Sequence, residues 1–345
     1  MKSKIIRVLV VDDSAYIRKV VRQMLERSPF IEVVGVAQDG VDALEQVERL
    51  HPDVITLDLV MPRMDGVTFL KELMKCYPTP VVVVSIASEA GELAMAALEA
   101  GALDFVQKPT SLATEEIFAI QNELLAKVKA AAVADITRLP TPLSVPVPTP
   151  RLTVRKGLID IVVIGVSTGG PQALRAIVPA IPHDFPIPLV TVLHMPVGYT
   201  GLFARRLDEL AAIEVREARE GDIVRPGRML LAPAGHHLTF RRMPDEIIVH
   251  LTDDPTDTLH RPSVDVMFVS AAEVYGHRVL GVVLTGMGKD GLEGARRIKE
   301  TGGYVFAEAP STCVVYGMPR AVVEAELVDR LLPLDVIPQA LFEFV

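Results

Sequence analysis

The chain has no tryptophan and only two cysteines, Cys76 and Cys313, in 345 residues. Two thiols so far apart write neither a disulfide framework nor the paired-cysteine spacing of a zinc site. No run of Lys or Arg occurs and the net charge is −9, which argues against nucleic acid as a partner. Long hydrophobic runs are missing too. Glu, Asp or Gly interrupts every apolar stretch before the roughly 18 residues that a membrane span needs. The opening Met1-Lys-Ser-Lys-Ile-Ile-Arg-Val-Leu-Val10 runs straight into Asp12-Asp13, unlike a signal peptide with its hydrophobic region and cleavage site. These absences lead to the expectation of a reduced, cytoplasmic protein that is not membrane-inserted.

What is present is the composition of a folded chain: 50% apolar and 23% charged, long enough for two or three cored domains. Periodicity stops between Arg138 and Lys156, where prolines stand at 140, 142, 146, 148 and 150. Proline at that density forbids helix and favours extended, semi-rigid backbone. The expected organisation is a domain over 1–135, a Pro-rich linker over 136–157, and a second domain over 158–345.

Before the linker, strand and helix patterns alternate five times, the strands being near-continuous Val, Ile and Leu. That pattern predicts a parallel sheet covered on both faces, with function collected at the carboxyl ends of its strands. The strand ends carry Asp12-Asp13, Asp58, Ser85 and Lys108-Pro109. Asp-Asp-Ser at 12–14 taken alone also admits a reading as a plain helix N-cap, and Lys108-Pro109 one as an ordinary turn. Together, three carboxylates at one sheet edge repel each other and stay ionised only beside a hard cation such as Mg²⁺. Lys108 and the Ser85 hydroxyl would then hold a phosphoryl group on Asp58.

Val10-Val-Asp-Asp-Ser-Ala, Leu57-Asp58-Leu-Val-Met-Pro-Arg-Met-Asp-Gly66, Val84-Ser85 and Asp104-Phe-Val-Gln-Lys-Pro109 resemble a response-regulator receiver domain. The resemblance implies a flavodoxin-like (βα)5 fold with Asp58 as phosphoacceptor. It assigns Mg²⁺ to Asp12, Asp13, Asp58 and the Val60 carbonyl, the switch pair to Ser85 and Phe105, and the phosphate contact to Lys108. It also implies a histidine kinase as phosphodonor.

Beyond the linker, Ile161-Val-Val-Ile-Gly-Val-Ser-Thr-Gly-Gly-Pro171 reads as strand, tight turn and helix. Such a turn lifts Ser167 to a sheet edge beside a helix N-terminus, whose amides stabilise negative charge. An α/β-hydrolase is the first suspect for Gly-x-Ser-x-Gly, but that fold needs its histidine last, and none occurs after His277. A dinucleotide loop is weaker, since Gly-x-Gly-x-x-Gly is absent and Leu189–Leu193 delivers no acidic residue. That strand instead delivers His194, and Val279-Leu-Gly-Val-Val-Leu delivers Thr285-Gly-Met-Gly-Lys-Asp290. A serine hydroxyl needs an imidazole to take its proton, and the imidazole needs a carboxylate to orient it. Ser167, His194 and Asp290 supply these three groups, and the Met287 amide can face a developing oxyanion. A hairpin is expected near Arg225–Val249. His236-His237 read as turn residues beside a cleft, Cys313 as packing, and Arg205-Arg206 equally as an acidic-partner contact or a solvated helix face.

Gly165-Val-Ser-Thr-Gly-Gly-Pro171, His194-Met-Pro196, Pro233-Ala-Gly-His-His-Leu238, Arg261-Pro-Ser-Val-Asp-Val-Met-Phe268, Leu284-Thr-Gly-Met-Gly-Lys-Asp-Gly291 and Val314-Val-Tyr-Gly-Met-Pro319 resemble the chemotaxis protein-glutamate methylesterases of CheB type. The resemblance implies a doubly wound, mainly parallel α/β catalytic domain. It makes Ser167 the nucleophile, His194 the base and Asp290 the orienting acid, with no cofactor for hydrolysis. It also implies methyl-ester hydrolysis and glutamine deamidation on the cytoplasmic helices of methyl-accepting chemoreceptors, released when the receiver is phosphorylated. One departure stands at Ala307-Glu-Ala-Pro310, where the family usually has Ala-Gln-Asp/Glu; it is expected to alter the substrate rim.

Overall fold

The computed structural model describes residues 5–85, 91–108, 114–136 and 157–344. The proline-rich stretch 137–156 and Pro109 lie outside the described residues. The chain divides into two compact units, Met1–Thr137 and Arg138–Val345.

The first unit is a five-fold β/α alternation. Strands β1 (Ile6–Val11), β2 (Ile31–Ala37), β3 (Val54–Leu57), β4 (Val81–Ser85) and β5 (Asp104–Gln107) alternate with helices α1 (Ala15–Leu25), α2 (Gly40–Leu50), α3 (Gly66–Cys76), α4 (Gly91–Glu99) and α5 (Thr114–Val133). The strands pair in parallel in the order β2-β1-β3-β4-β5. Burial of β3 and β4 on both faces explains why they read as unbroken apolar runs. Three helices start on short polar side chains that accept the first free amides. Ser14 accepts from Ile17 N–H, Asp39 from Val41 and Asp42 N–H, and Asp65 from Thr68 N–H. Ser14 therefore does the capping, and Asp12 and Asp13 remain at the end of β1.

In the second unit the strands are β6 (Ile161–Val166), β7 (Leu189–Leu193), β8 (Glu214–Glu217), β9 (Arg228–Leu231), β10 (His237–Arg242), β11 (Ile247–Thr252), β12 (Val279–Val283), β13 (Tyr304–Glu308) and β14 (Arg330–Leu332). The helices are α6 (Gly170–Ile177), α7 (Thr200–Asp208), α8 (Val264–Tyr275), α9 (Leu292–Glu300), α10 (Met318–Glu324) and α11 (Ile337–Leu341). Seven strands form one parallel sheet in the order β14-β13-β12-β6-β7-β9-β8, and β10-β11 form a separate antiparallel ribbon. The hairpin thus lies at His237–Thr252, not Arg225–Val249. Met229, Leu230 and Leu231 are buried and pair with both β7 and β8, which takes that segment into the main sheet.

Chain order reverses direction at β6, whose neighbours are β7 on one side and β12 on the other. A crevice opens outside the carboxyl ends at such a reversal. The same reversal occurs in the first unit between β1 and β3.

Candidate active site

Three strand ends build the second unit's crevice. β6 ends at Val166 and hands Ser167 to a turn in which Gly169 sits at φ +80° and Gly170 N–H donates to the Ser167 carbonyl at 2.7 Å. Glycine suits that left-handed position. Ser167 N–H donates to the Thr285 carbonyl at 3.0 Å, and His194 N–H to the Val166 carbonyl at 3.1 Å. The three post-strand loops are thereby tied to each other by backbone bonds. A Cβ at Gly286 would lie 2.8 Å from the Ser167 Cβ, so only glycine lets the β12 loop approach this closely.

The side chains follow the backbone. Ser167 Oγ lies 3.1 Å from His194 Nδ1, and His194 Nε2 lies 2.8 Å from Asp290 Oδ2. Serine and carboxylate use the opposite ring nitrogens from those in chymotrypsin, where Nε2 faces the serine. The relay is unaffected, because a neutral imidazole has one donor and one acceptor nitrogen whichever way it is turned. The His194 side chain is 7% exposed and the Asp290 side chain 13%. The His260 ring stacks on His194 with centroids 4.0 Å apart.

Asp290 lies just before α9, yet its carboxylate serves α8. Oδ2 accepts Val264 N–H at 2.8 Å, and Oδ1 accepts Asp265 N–H at 2.9 Å and the Ser263 hydroxyl at 2.9 Å. Burial by itself would raise its pKa. The hydrogen bond and charge of His194, together with the Asp265 and Val264 amides, outweigh that and hold the carboxyl well below its ordinary range. Asp265 goes the other way: burial pushes it up, offset in part by the Gly294 and Gly291 amides and reinforced by the Asp290 charge.

Ser263 and Asp265 are not singled out by the sequence, although both stand in the Arg261–Phe268 motif, and His237 is read there only as a turn residue beside a cleft. His237 is fully buried at the start of β10, not at a turn, whereas His236 is exposed. Ser263 N–H donates to His237 Nδ1 at 3.1 Å, and His237 Nε2 faces the Pro255 carbonyl at 3.1 Å. Burial lowers the His237 pKa, in keeping with a neutral ring that accepts at Nδ1 and donates at Nε2. No pattern in the sequence marks this pair, since His237 and Ser263 come from different elements. Cys313 is buried, in agreement with a packing role.

The loop after β12 is held by buried bonds. Thr285 Oγ donates to the Thr168 carbonyl at 3.0 Å and accepts from Val315 N–H at 2.9 Å. The Gly286 carbonyl accepts from Gly317 and Met318 N–H. Gly288 has φ +84°, and the amide of half-exposed Met287 finds no acceptor among the described residues. The departure at Ala307–Pro310 does not form a rim at Glu308, whose side chain is fully buried and whose Oε2 accepts Thr285 N–H at 2.8 Å.

The first unit brings together Asp12, Asp13 and Asp58, whose carboxylate oxygens lie within 4.8 Å of one another. Lys108 Nζ reaches Asp12 Oδ2 at 2.6 Å and Asp58 Oδ2 at 2.8 Å. Burial raises the Asp12 pKa; the Lys108 bond and charge pull it back, and the Asp58 charge adds to the rise. Arg18 stands beside them, donating to the Asp12 and Asp13 carbonyls at 2.6 and 3.0 Å. Three carboxylates against these two cations keep a negative excess, and oxygen donors with such an excess fit a hard divalent cation. Ser85 and Phe105 are buried at the neighbouring strands, and Val60 is exposed on the loop after Asp58. Lys127 donates to the Phe105 carbonyl at 2.6 Å and lies 5.7 Å from its ring centroid.

Comparison with known proteins follows the same division. The family model for CheB methylesterase matches residues 162–341, and that for the response regulator receiver domain matches residues 8–119. A protein-glutamate methylesterase/protein-glutamine glutaminase of Myxococcus xanthus is 53% identical over 331 residues, 96% of this chain and 95% of the relative. One of Symbiobacterium thermophilum is 46% identical, over 97% of this chain and 96% of the relative. The crystal structure of the Thermotoga maritima CheB methylesterase catalytic domain is 44% identical, covering 54% of this chain and 99% of that one, with a TM-score of 0.53. The chain belongs to the CheB methylesterase family and carries a response-regulator receiver domain ahead of the catalytic domain.

Proposed function

We propose that this protein hydrolyses glutamate methyl esters, and deamidates particular glutamines, on the cytoplasmic helices of chemoreceptors, under the control of a histidine kinase that phosphorylates Asp58. The observation that carries this reading is the continuous relay Ser167 Oγ–His194 Nδ1, His194 Nε2–Asp290 Oδ2 at a topological reversal of the sheet.

Ser167 Oγ attacks the ester carbonyl while His194 Nδ1 takes its proton. Asp290 holds the ring and stabilises the imidazolium. The Met287 amide donates to the oxyanion of the tetrahedral intermediate. Collapse breaks the bond to methoxide, which leaves as methanol with the proton from His194. Water then attacks the acyl-serine with His194 again as base; the bond to Ser167 Oγ breaks, Oγ takes the proton back from His194, and the receptor's glutamate side chain leaves as the acid. An amide substrate follows the same path with ammonia as the leaving group.

In the receiver, Asp12, Asp13, Asp58 and the Val60 carbonyl would hold Mg²⁺. When bound, the ion offsets the charge of an incoming phosphoryl group on Asp58. Lys108 then exchanges its contact with Asp58 for the phosphoryl oxygens, and Ser85 and Phe105 change place in response. Phosphorylation shifts a population of closed and open states and so raises receptor access to Ser167. The reading places this action in the cytoplasm, and no helix among the described residues is long and apolar enough to cross a membrane.

The test is methanol release from methylated receptor with and without a small phosphodonor. Release that rises with phosphodonor and vanishes in Ser167→Ala supports the reading. Failure of a serine-reactive phosphonate to label Ser167 in the intact chain would sink it.

A further inference from the structure

Glu308 ends β13 with 0% of its side chain exposed. Oε2 accepts Thr285 N–H at 2.8 Å, and Oε1 has no hydrogen-bond partner. The polar groups facing it are that amide, from the loop after β12, and the Thr312 hydroxyl and Cys313 thiol, from the loop after β13. On its other side β14 pairs it with Leu332. Among the described residues no Lys, Arg or His pairs with it, and no other carboxylate faces it. A carboxylate this deeply buried, with one backbone donor, a hydroxyl and a thiol as its only polar neighbours and no cation, is costly: burial outweighs what these three groups offset, and the neutral acid is the form such a site favours.

Its position gives that protonation a consequence. Thr285 N–H rests on the Glu308 carboxyl, while the Thr285 carbonyl accepts Ser167 N–H at 3.0 Å. Two residues further on is Met287, the amide assigned to the oxyanion. Glu308 thus bears on the start of the short segment 285–287, which accepts the nucleophile's N–H and carries the oxyanion donor.

We propose that Glu308 is a positioning residue of the oxyanion loop that works in its uncharged acid form, accepting Thr285 N–H through its carbonyl oxygen. This rests on the esterase reading above. Ionisation places a negative charge beneath the loop on which the substrate oxyanion develops, so turnover falls as Glu308 loses its proton. Burial raises the Glu308 pKa above the ordinary glutamate value. Such a group stabilises the fold below that ordinary value, and the contribution is lost as pH rises through the folded-state value.

The experiment compares kcat and KM from pH 5 to 10 in the wild type, Glu308→Gln and Glu308→Leu, with thermal melting of each full-length protein over the same range. Glutamine keeps the carbonyl acceptor and cannot ionise. It is expected to rescue turnover in the low-pH plateau and to hold it where the wild type has fallen about tenfold, KM being unaffected, an effect smaller than loss of a whole oxyanion donor. Leucine lowers kcat about tenfold at every pH. The melting temperature of Glu308→Gln gains on the wild type as pH rises from about 4.5. Superimposed kcat profiles for wild type and Glu308→Gln, or a Glu308→Gln deficit at all pH values, overturn the proposal. If no variant, wild type included, hydrolyses ester or takes the phosphonate label, the esterase reading has failed instead. The melting comparison still decides whether Glu308 is neutral in the fold, and a pH-independent difference rejects it.

Discussion

The two units use one architectural device, polar residues at the carboxyl ends of parallel strands where the sheet reverses, and reach opposite electrostatic conditions. Around Ser167 each charge is answered within the fold: Asp290 takes three donors from α8 and its cap besides His194, and its carboxyl is held low. Around Asp58 three carboxylates crowd together, Lys108 reaches two of them, and Asp12 is pushed up. The first arrangement is complete before substrate arrives, as preorganised catalysis requires. The second is complete only with charges supplied from outside, which is what a switch needs. On the proposed reading, the difference makes access to a finished site, not assembly of the triad, the step that phosphorylation acts on.

That contrast can be broken at either end. Ser167→Ala should lower turnover by on the order of 10⁶-fold, with circular dichroism and melting unchanged; retained turnover would mean the relay is ornamental. Asp290→Asn should cost roughly 10⁴-fold in kcat, as in serine hydrolases that lose the orienting carboxylate, measured by ester hydrolysis at saturating substrate. Asp58→Asn should abolish the gain on adding phosphodonor, read as the ratio of rates with and without it. A retained ratio would show that the receiver's unfinished pocket is not the input.

Smaller effects sharpen the comparison. Ser263→Ala removes one charge-assisted bond to Asp290 and the cap of α8, so kcat should fall about tenfold and stability by about 1 kcal/mol, checked by kinetics and urea unfolding. The least effect should be a pH-dependent one. A carboxyl raised by folding, such as Asp12, loses its contribution as pH climbs from about 3.8, so Mg²⁺ should raise receiver melting at pH 7 by more than at pH 4. Asp290, lowered by folding, contributes above about 3.8 and loses that only in stronger acid. Titration of melting with and without Mg²⁺ would separate the two, and equal Mg²⁺ effects at both pH values would deny the receiver its charge excess.

Much of this was legible in the chain because each reactive group follows an apolar run. Val, Ile and Leu over 161–166, 189–193 and 279–283 announce buried parallel strands, and whatever polar residue comes next must surface at one edge. The same logic collected Asp12, Asp58, Ser85 and Lys108. It failed where an apolar run had two suitable partners: Met229–Leu231 reads as half of a hairpin, but burial between β7 and β8 removes more apolar surface from water than a ribbon would. It failed too at His237, classed with exposed His236 because a doublet hides the alternation of strand faces, and at Glu308, taken for a rim residue although a strand end can point inward.

The order of residues along the chain therefore determined the elements, the edge where polar groups gather and which side chains are delivered there, since these follow from local periodicity and short-range chain direction. Only the tertiary structure decided which imidazole nitrogen meets the serine, that Asp290 caps a helix begun 26 residues earlier, that His237 steadies Ser263, and that Glu308 lies beneath the oxyanion loop. Those relations join groups that are remote in sequence, and their energies depend on burial and on distances of a few ångströms, quantities that come into existence only when the layers pack.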